Sequence, residues 1–285
     1  MSSLPDVQTP EVARLAARAA AQQPAEDPHM ADVALRPAIF DWLCRLGDNA
    51  LILGHRTSEW CGHGPALEED IALANTALDL IGQCQMWLGL AAEVEGAGRT
   101  ADDLAYLRDA LQFRNAKLLE LPKGDMAQTI MREFLFDAYH FELLSALKDS
   151  ASPRVAEIAA KAVKEVAYQL DRASDLVVRL GDGTEESHAR MQAALDHLWP
   201  YAGEMFVADA VDEAMAEAGI APALTELRTR WEALVAEVLD EATLTAPERR
   251  FDVHTGGKQG RHTEHLGYIL AEMQFLQRAY PGAQW

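Results

Sequence analysis

Two long stretches of helical apolar periodicity, separated by a break of only six residues, constrain this chain more than any other feature. Ile39, Leu43, Leu46, Ala50 and Leu53 recur at helical intervals between Ala38 and Glu59, with Pro37 placed for a first turn. Cys61-Gly62-His63-Gly64-Pro65 interrupts the pattern, and a second helix is expected from about Ala66 to Glu95. At 1.5 Å per residue the first helix runs roughly 33 Å. Two such helices joined by so short a turn lie antiparallel.

The same punctuation continues. Thr100 with Asp103 predicts a short helix to about Asn115, and Leu121-Pro122-Lys123-Gly124 closes a crossover. Asp125 is placed to cap a third long helix to about Lys148, and Ser152-Pro153 opens a fourth that stops at Gly181-Asp182-Gly183. Further helices are expected at about 185–198, 201–218, 222–242 and 263–279, with no strand-like alternation and no internal repeat. The expected fold is all-α: a four-helix bundle with additional C-terminal helices, forming one domain over residues 37–285. Residues 1–36, rich in Ala, Gln, Pro and Ser, are expected to be a disordered N-terminal extension without a signal-peptide core.

Charge narrows the partners. With 25 basic against 45 acidic residues the net charge is −20, which opposes nucleic acid and anionic membrane surfaces. No uncharged apolar run approaches the ~20 residues that span a bilayer. Cys44, Cys61 and Cys84 form no CxxC pair, so they are expected as buried small hydrophobes in a reducing cytoplasm.

Acidic residues mark the four long helices at a suggestive spacing. Asp48 and Asp79 are 31 positions apart, and Asp137 and Glu165 are 28 apart, intervals that suit successive antiparallel helices. A dinuclear carboxylate bundle takes one acid from each of two helices and a Glu-x-x-His from each of the other two. Here the corresponding strings read Asp79-Leu-Ile-Gly82 and Glu165-Val-Ala-Tyr168, so Gly82 and Tyr168 stand where imidazoles are needed. Glu133, Asp137 and His140 share a face of the third helix, and Glu157, Lys161, Glu165, Tyr168 and Arg172 form a stripe on the fourth. Asp reaches one methylene less than Glu, a single imidazole cannot serve two metals, and Lys alternates with the acids at i, i+4 as in an ion-pair ladder. Charged helix faces neutralised by Arg132, Lys161 and Lys164 are therefore expected, without a working metal centre.

The C-terminal part reverses the sign locally. Arg249, Arg250, Lys258 and Arg261 cluster beside His254, His262 and His265, around Gly256-Gly257. They are candidates for contact with the phosphates of a CoA thioester or with a partner, or for pairing with acids of the chain itself. His262-Thr263-Glu264-His265 lacks the i, i+4 histidines of a zinc HExxH.

Several longer strings carry a resemblance. Arg45-Leu46-Gly47-Asp48-Asn49, Ser58-Glu59-Trp60-Cys61-Gly62-His63-Gly64-Pro65 and Asp70-Ile71-Ala72-Leu73-Ala74-Asn75 resemble the C subunits of bacterial phenylacetyl-CoA 1,2-epoxidases, as do Thr255-Gly256-Gly257-Lys258-Gln259-Gly260, His262 to Leu266, Ala271-Glu272-Met273-Gln274 and Gln284-Trp285. The resemblance covers roughly residues 38–285. It implies a ferritin-like fold and a noncatalytic structural role in aerobic phenylacetate degradation, beside a paralogous catalytic A subunit. Asp48, Asp79, Gly82, Asp137, His140, Glu165 and Tyr168 would then be vestigial positions of a lost di-iron site. It further implies no cofactor in this chain, di-iron in the A subunit, NADPH, flavin and iron-sulfur in the complex's reductase, other subunits of the complex as partners, and phenylacetyl-CoA at the interface. The alternatives left by the residues themselves are an independent dimetal oxygenase using Asp48, Asp79, Asp137, His140 and Glu165, or an acyl-CoA binding protein.

Overall fold

Four helices of 22 to 29 residues dominate the computed structural model: α1 (Arg36–Ser58), α2 (Leu67–Glu95), α3 (Met126–Leu147) and α4 (Pro153–Gly181). The structure describes residues 27–248 and 250–283, and no strand occurs among them. Most of the expected N-terminal extension, residues 1–26, lies outside the described residues. Within its remainder Pro28–Ala31 makes one helical turn capped by Asp27.

Local chemistry sets the helix ends. Asp125 accepts from the Gln128 N–H to start α3, and Ser152 accepts from the Val155 N–H to start α4, with Pro153 in the first turn. Gly96, at φ 68°, ends α2 in the left-handed region. The α1–α2 and α3–α4 pairs make the most extensive contacts, and α2 also meets α4. Gly47 of α1 lets α2 come close, since a Cβ there would sit 2.5 Å from Leu88 Cδ2. Leu43, Ile52, Leu80 and Trp87 fill the core on this side, with Phe134, Val155, Ala159 and Val166 from the other pair.

Two expected helices are broken, each for a tertiary reason. The helix expected over 100–115 stops at Tyr106, where the chain turns Arg108 inward, and continues as a 3₁₀ turn (Ala110–Gln112) and one helical turn (Lys117–Glu120). The helix expected over 201–218 becomes a 3₁₀ turn at Gly203–Phe206 and a short helix, which with α5 (Glu185–Ala202) before it is numbered α6 (Ala210–Glu217), because the C-terminal segment crosses at Gly203. There the Gly203 N–H donates to Phe251 O at 2.8 Å, and a Cβ would meet Asp252 at 2.8 Å.

The remaining helices are α7 (Leu224–Glu241) and α8 (Glu264–Met273), with a last turn at Phe275–Ala279. α5 and α7 cover α3 through an aromatic cluster of Trp199, Phe206, Trp231 and Phe251. The buried indole of Trp231 donates to Leu135 O at 2.9 Å, so its polar atom is satisfied inside the core. Cys44 and Cys84 are buried as expected, whereas Cys61 is exposed on the turn between α1 and α2. Among the described residues no helix is long and apolar enough to cross a membrane.

Candidate functional site

One cation joins all four bundle helices. Arg172 of α4 pairs through Nη2 with Glu69 of α2, and through Nη1 with Oε2 of Glu133 on α3 at 3.4 Å. The other oxygen of Glu133 accepts from Thr57 Oγ1 of α1 at 3.2 Å. Glu133 is 2% exposed and the Arg172 side chain 11%, so this contact is largely shielded from water. Burial pushes the Glu133 carboxyl up to about 7, against the Arg172 charge, the Thr57 hydrogen bond and a weaker field from Arg132. Arg132 itself is buried and donates to Pro122 O. Lys161 and Lys164, expected to neutralise the acids, are exposed.

Asp137 lies next on the α3 face. Burial first, and then the Glu133 charge, push its carboxyl well above the ordinary range, opposed by Arg172. Burial lowers His140 to about 4, which leaves a neutral imidazole at pH 7. Asp137 Oδ2 and His140 Nδ1 are both buried without a hydrogen-bond partner.

The other predicted positions do not converge on this pair. Asp48 is fully buried on α1 but faces the crossover, where its carboxylate takes both terminal nitrogens of Arg108, Nη1 at 3.1 Å, and the Arg114 N–H at 2.8 Å. Arg108 also lies over the Phe113 ring, 4.5 Å from its centroid. Asp79 and Glu165 are half-buried and are held by amides, Gln169 Nε2 at 3.4 Å and Gln83 Nε2 at 3.0 Å. Gly82 and Tyr168 face outward, Tyr168 being 65% exposed. The groups that turn inward are their immediate successors, Gln83 and Gln169, at 0% and 3% exposure.

A dinuclear centre needs ionised carboxylates and open imidazole nitrogens gathered on one point. Among the described residues no three His, Cys, Asp or Glu side chains are placed to share a metal ion. Arg172 brings a fixed positive charge among the acids, and Asp137 is biased toward its neutral form. These residues do not fit a di-iron group.

Glu133 has a measurable signature. Its folded pKa of about 7 lies above the ordinary 4.5 of a free glutamate, so the native state binds more protons than the unfolded state between those values. Stability contributed by this group is full below about 4.5 and is lost as pH rises to about 7. Denaturant unfolding across pH 4–8 is expected to show a steeper decline in the parent protein than in Glu133→Gln, which keeps only the share from Asp137 and the other buried carboxyls.

The basic C-terminal residues are divided between internal pairing and the surface. Lys258 is buried, with Nζ 3.0 Å from Asp212 Oδ2 and 3.1 Å from Val207 O. Asp212 also receives Arg45, which in turn binds Asp41 and Asp209. Arg250 is exposed and paired with Asp252 at 2.9 Å, and Arg261 is exposed beside Gly256. Arg249 lies outside the described residues.

Two buried glutamates, absent from the sequence expectations, tie this segment to the crossover. Glu204 accepts from the Gly257 N–H at 2.6 Å and the Lys117 N–H at 2.7 Å. Gly257 is needed there, since a Cβ would meet Asn115 O at 2.2 Å. Glu120 accepts from the Thr263 N–H at 2.5 Å and faces His262 Nδ1 at 2.9 Å, while His262 Nε2 faces Phe113 O at 3.0 Å. Both ring nitrogens of His262 are thus engaged within the fold.

Four long helices with two antiparallel pairs, a long crossover and a charged interior define a ferritin-like helical bundle. The chain belongs to the phenylacetic acid catabolic protein family, whose model matches residues 13–285, starting upstream of the strings that carry the resemblance. It is also 49% identical over 241 residues to the C subunit of the 1,2-phenylacetyl-CoA epoxidase of Escherichia coli (strain K12), an alignment covering 85% of this chain and 96% of that protein.

Proposed function

We propose that this chain is the noncatalytic structural component of a multicomponent phenylacetyl-CoA 1,2-epoxidase, supporting a paralogous di-iron catalytic subunit. The observation that carries this reading is Arg172, whose guanidinium pairs with Glu69 and Glu133 inside the bundle. A fixed cation among those acids opposes a second, metallic charge there by electrostatic repulsion. The similarity to the C subunit of a named epoxidase supports membership in such a complex. In this role the chain holds no cofactor. Oxygen chemistry belongs to the catalytic subunit, and electrons reach it from NADPH through a flavin and iron-sulfur reductase.

The test is reconstitution from purified subunits. The isolated chain is expected to show no turnover of phenylacetyl-CoA, and a complex assembled without it is expected to lose turnover. Full turnover in its absence would overturn the proposal. So would two metal ions per chain that disappear in Asp137→Ala, since that result would restore an independent dimetal oxygenase.

A further inference from the structure

α2 carries two heptad seams, only one of which its own bundle uses. Leu73, Ala77, Leu80, Cys84, Trp87 and Ala91 are spaced 4, 3, 4, 3 and 4 residues apart, and all are buried. Leu67, Ile71, Ala74, Leu78 and Ile81 repeat the 4-3-4-3 spacing on another face. There Leu67 is 72% exposed, Ile71 53%, Leu78 70% and Ile81 38%. A sustained 3.5-residue apolar period is the pattern of a helix that packs against another helix. The outer seam borders a groove of about 440 Å³ walled by Gly54, His55, Leu78, Ile81 and Tyr106. Gly82 beside it leaves open space around its backbone, which permits close approach.

Charge selects among occupants. The 29 residues of α2 include Glu68, Glu69, Asp70, Asp79, Glu93 and Glu95 and not one Lys, Arg or His. Glu69, Glu93 and Glu95 are answered by Arg172, Arg154 and Arg99, and Asp70 by the Gly62 and Gly64 amides. Glu68 and Asp79, flanking the seam, have no basic partner among the described ion pairs. A second copy of this chain docked by the same face would set acid against acid, on a molecule of net charge −20. A helix with an apolar 3.5-residue stripe edged by Lys or Arg would meet both features of the surface.

We propose that the outer seam of α2 is the docking surface for such a helix of the catalytic subunit; this rests on the functional reading above. The test uses full chains, with affinity measured by sedimentation or calorimetry between purified subunits. Leu78→Glu is expected to weaken binding by about 30-fold or more, the loss typical of a central apolar contact. Its melting temperature is expected to stay unchanged, because Leu78 is 70% exposed. Asp79→Lys is expected to weaken binding less and to reduce its salt dependence. Phe275→Glu, on a separate exposed patch, is expected to bind as the parent does.

Parent-like affinity in Leu78→Glu would overturn the surface while leaving the functional reading intact. Self-association of the isolated chain that Leu78→Glu abolishes would also overturn it, in favour of a second copy. Faster deuterium uptake over residues 67–81 on deleting residues 1–26 would overturn it in favour of the chain's own N-terminal segment. Failure of the parent chain to bind the catalytic subunit would remove the functional reading, and the surface with it.

Discussion

Arg172→Met is expected to lower stability by about 3 kcal/mol at pH 8, the scale for removing one partner of a buried ion pair. The loss is expected to shrink toward pH 5, and that pH dependence separates a charge effect from lost packing. Without the guanidinium, burial raises the Glu133 carboxyl beyond its value of about 7, so Glu133 enters acid solution already neutral. Only at alkaline pH does the variant hold an uncompensated buried anion. The double variant Arg172→Met/Glu133→Gln is expected to recover most of the alkaline loss in urea unfolding. A deficit equal at pH 5 and pH 8 would contradict this account of the pair.

Arg108→Leu is expected to cost about 3–5 kcal/mol, because it strands Asp48 at 0% exposure with only the Arg114 amide for a donor. The affected region is the crossover, since Arg108 fixes it to α1. Deuterium exchange is therefore expected to accelerate over residues 101–121 more than over α3 and α4. Asp48→Asn with Arg108→Leu is expected to be milder than Arg108→Leu alone, since the neutral amide has less to lose from burial.

The bundle was legible from the sequence wherever its signals are local. Asp125, Ser152-Pro153 and Gly96 are capping residues that act within one turn, and α2, α3 and α4 begin or end at them. The breaks at Tyr106 and Gly203 were not legible, because their causes, Asp48 and Asp252, lie about fifty to sixty residues away in sequence. The acidic series marked the four helices, and Asp48 and Asp137 do turn inward, but Gly82 and Tyr168 do not. At 100° per residue a shift of one position turns a side chain away from the axis, and the buried groups are Gln83 and Gln169 in place of Gly82 and Tyr168. Arg172 stood in the α4 stripe together with Lys161, yet only the packed structure distinguishes the base that reaches inward from the one left in water.

The two glutamates that receive the C-terminal segment also order events in time. Glu120 is synthesised more than 140 residues before Thr263 and His262, and Glu204 more than 50 before Gly257. Before Gly257, His262 and Thr263 are made, Glu120 has the Asn115 amide, at 3.1 Å, and Glu204 the Lys117 N–H, at 2.7 Å, while their remaining partners are still missing. α1 and α2 pair through contacts close in sequence, while the joins of the C-terminal segment to Glu204 and Glu120 span 53 and 143 positions and so form later. The C-terminal segment is thus a clasp whose own backbone must be in place before the crossover glutamates have all their partners.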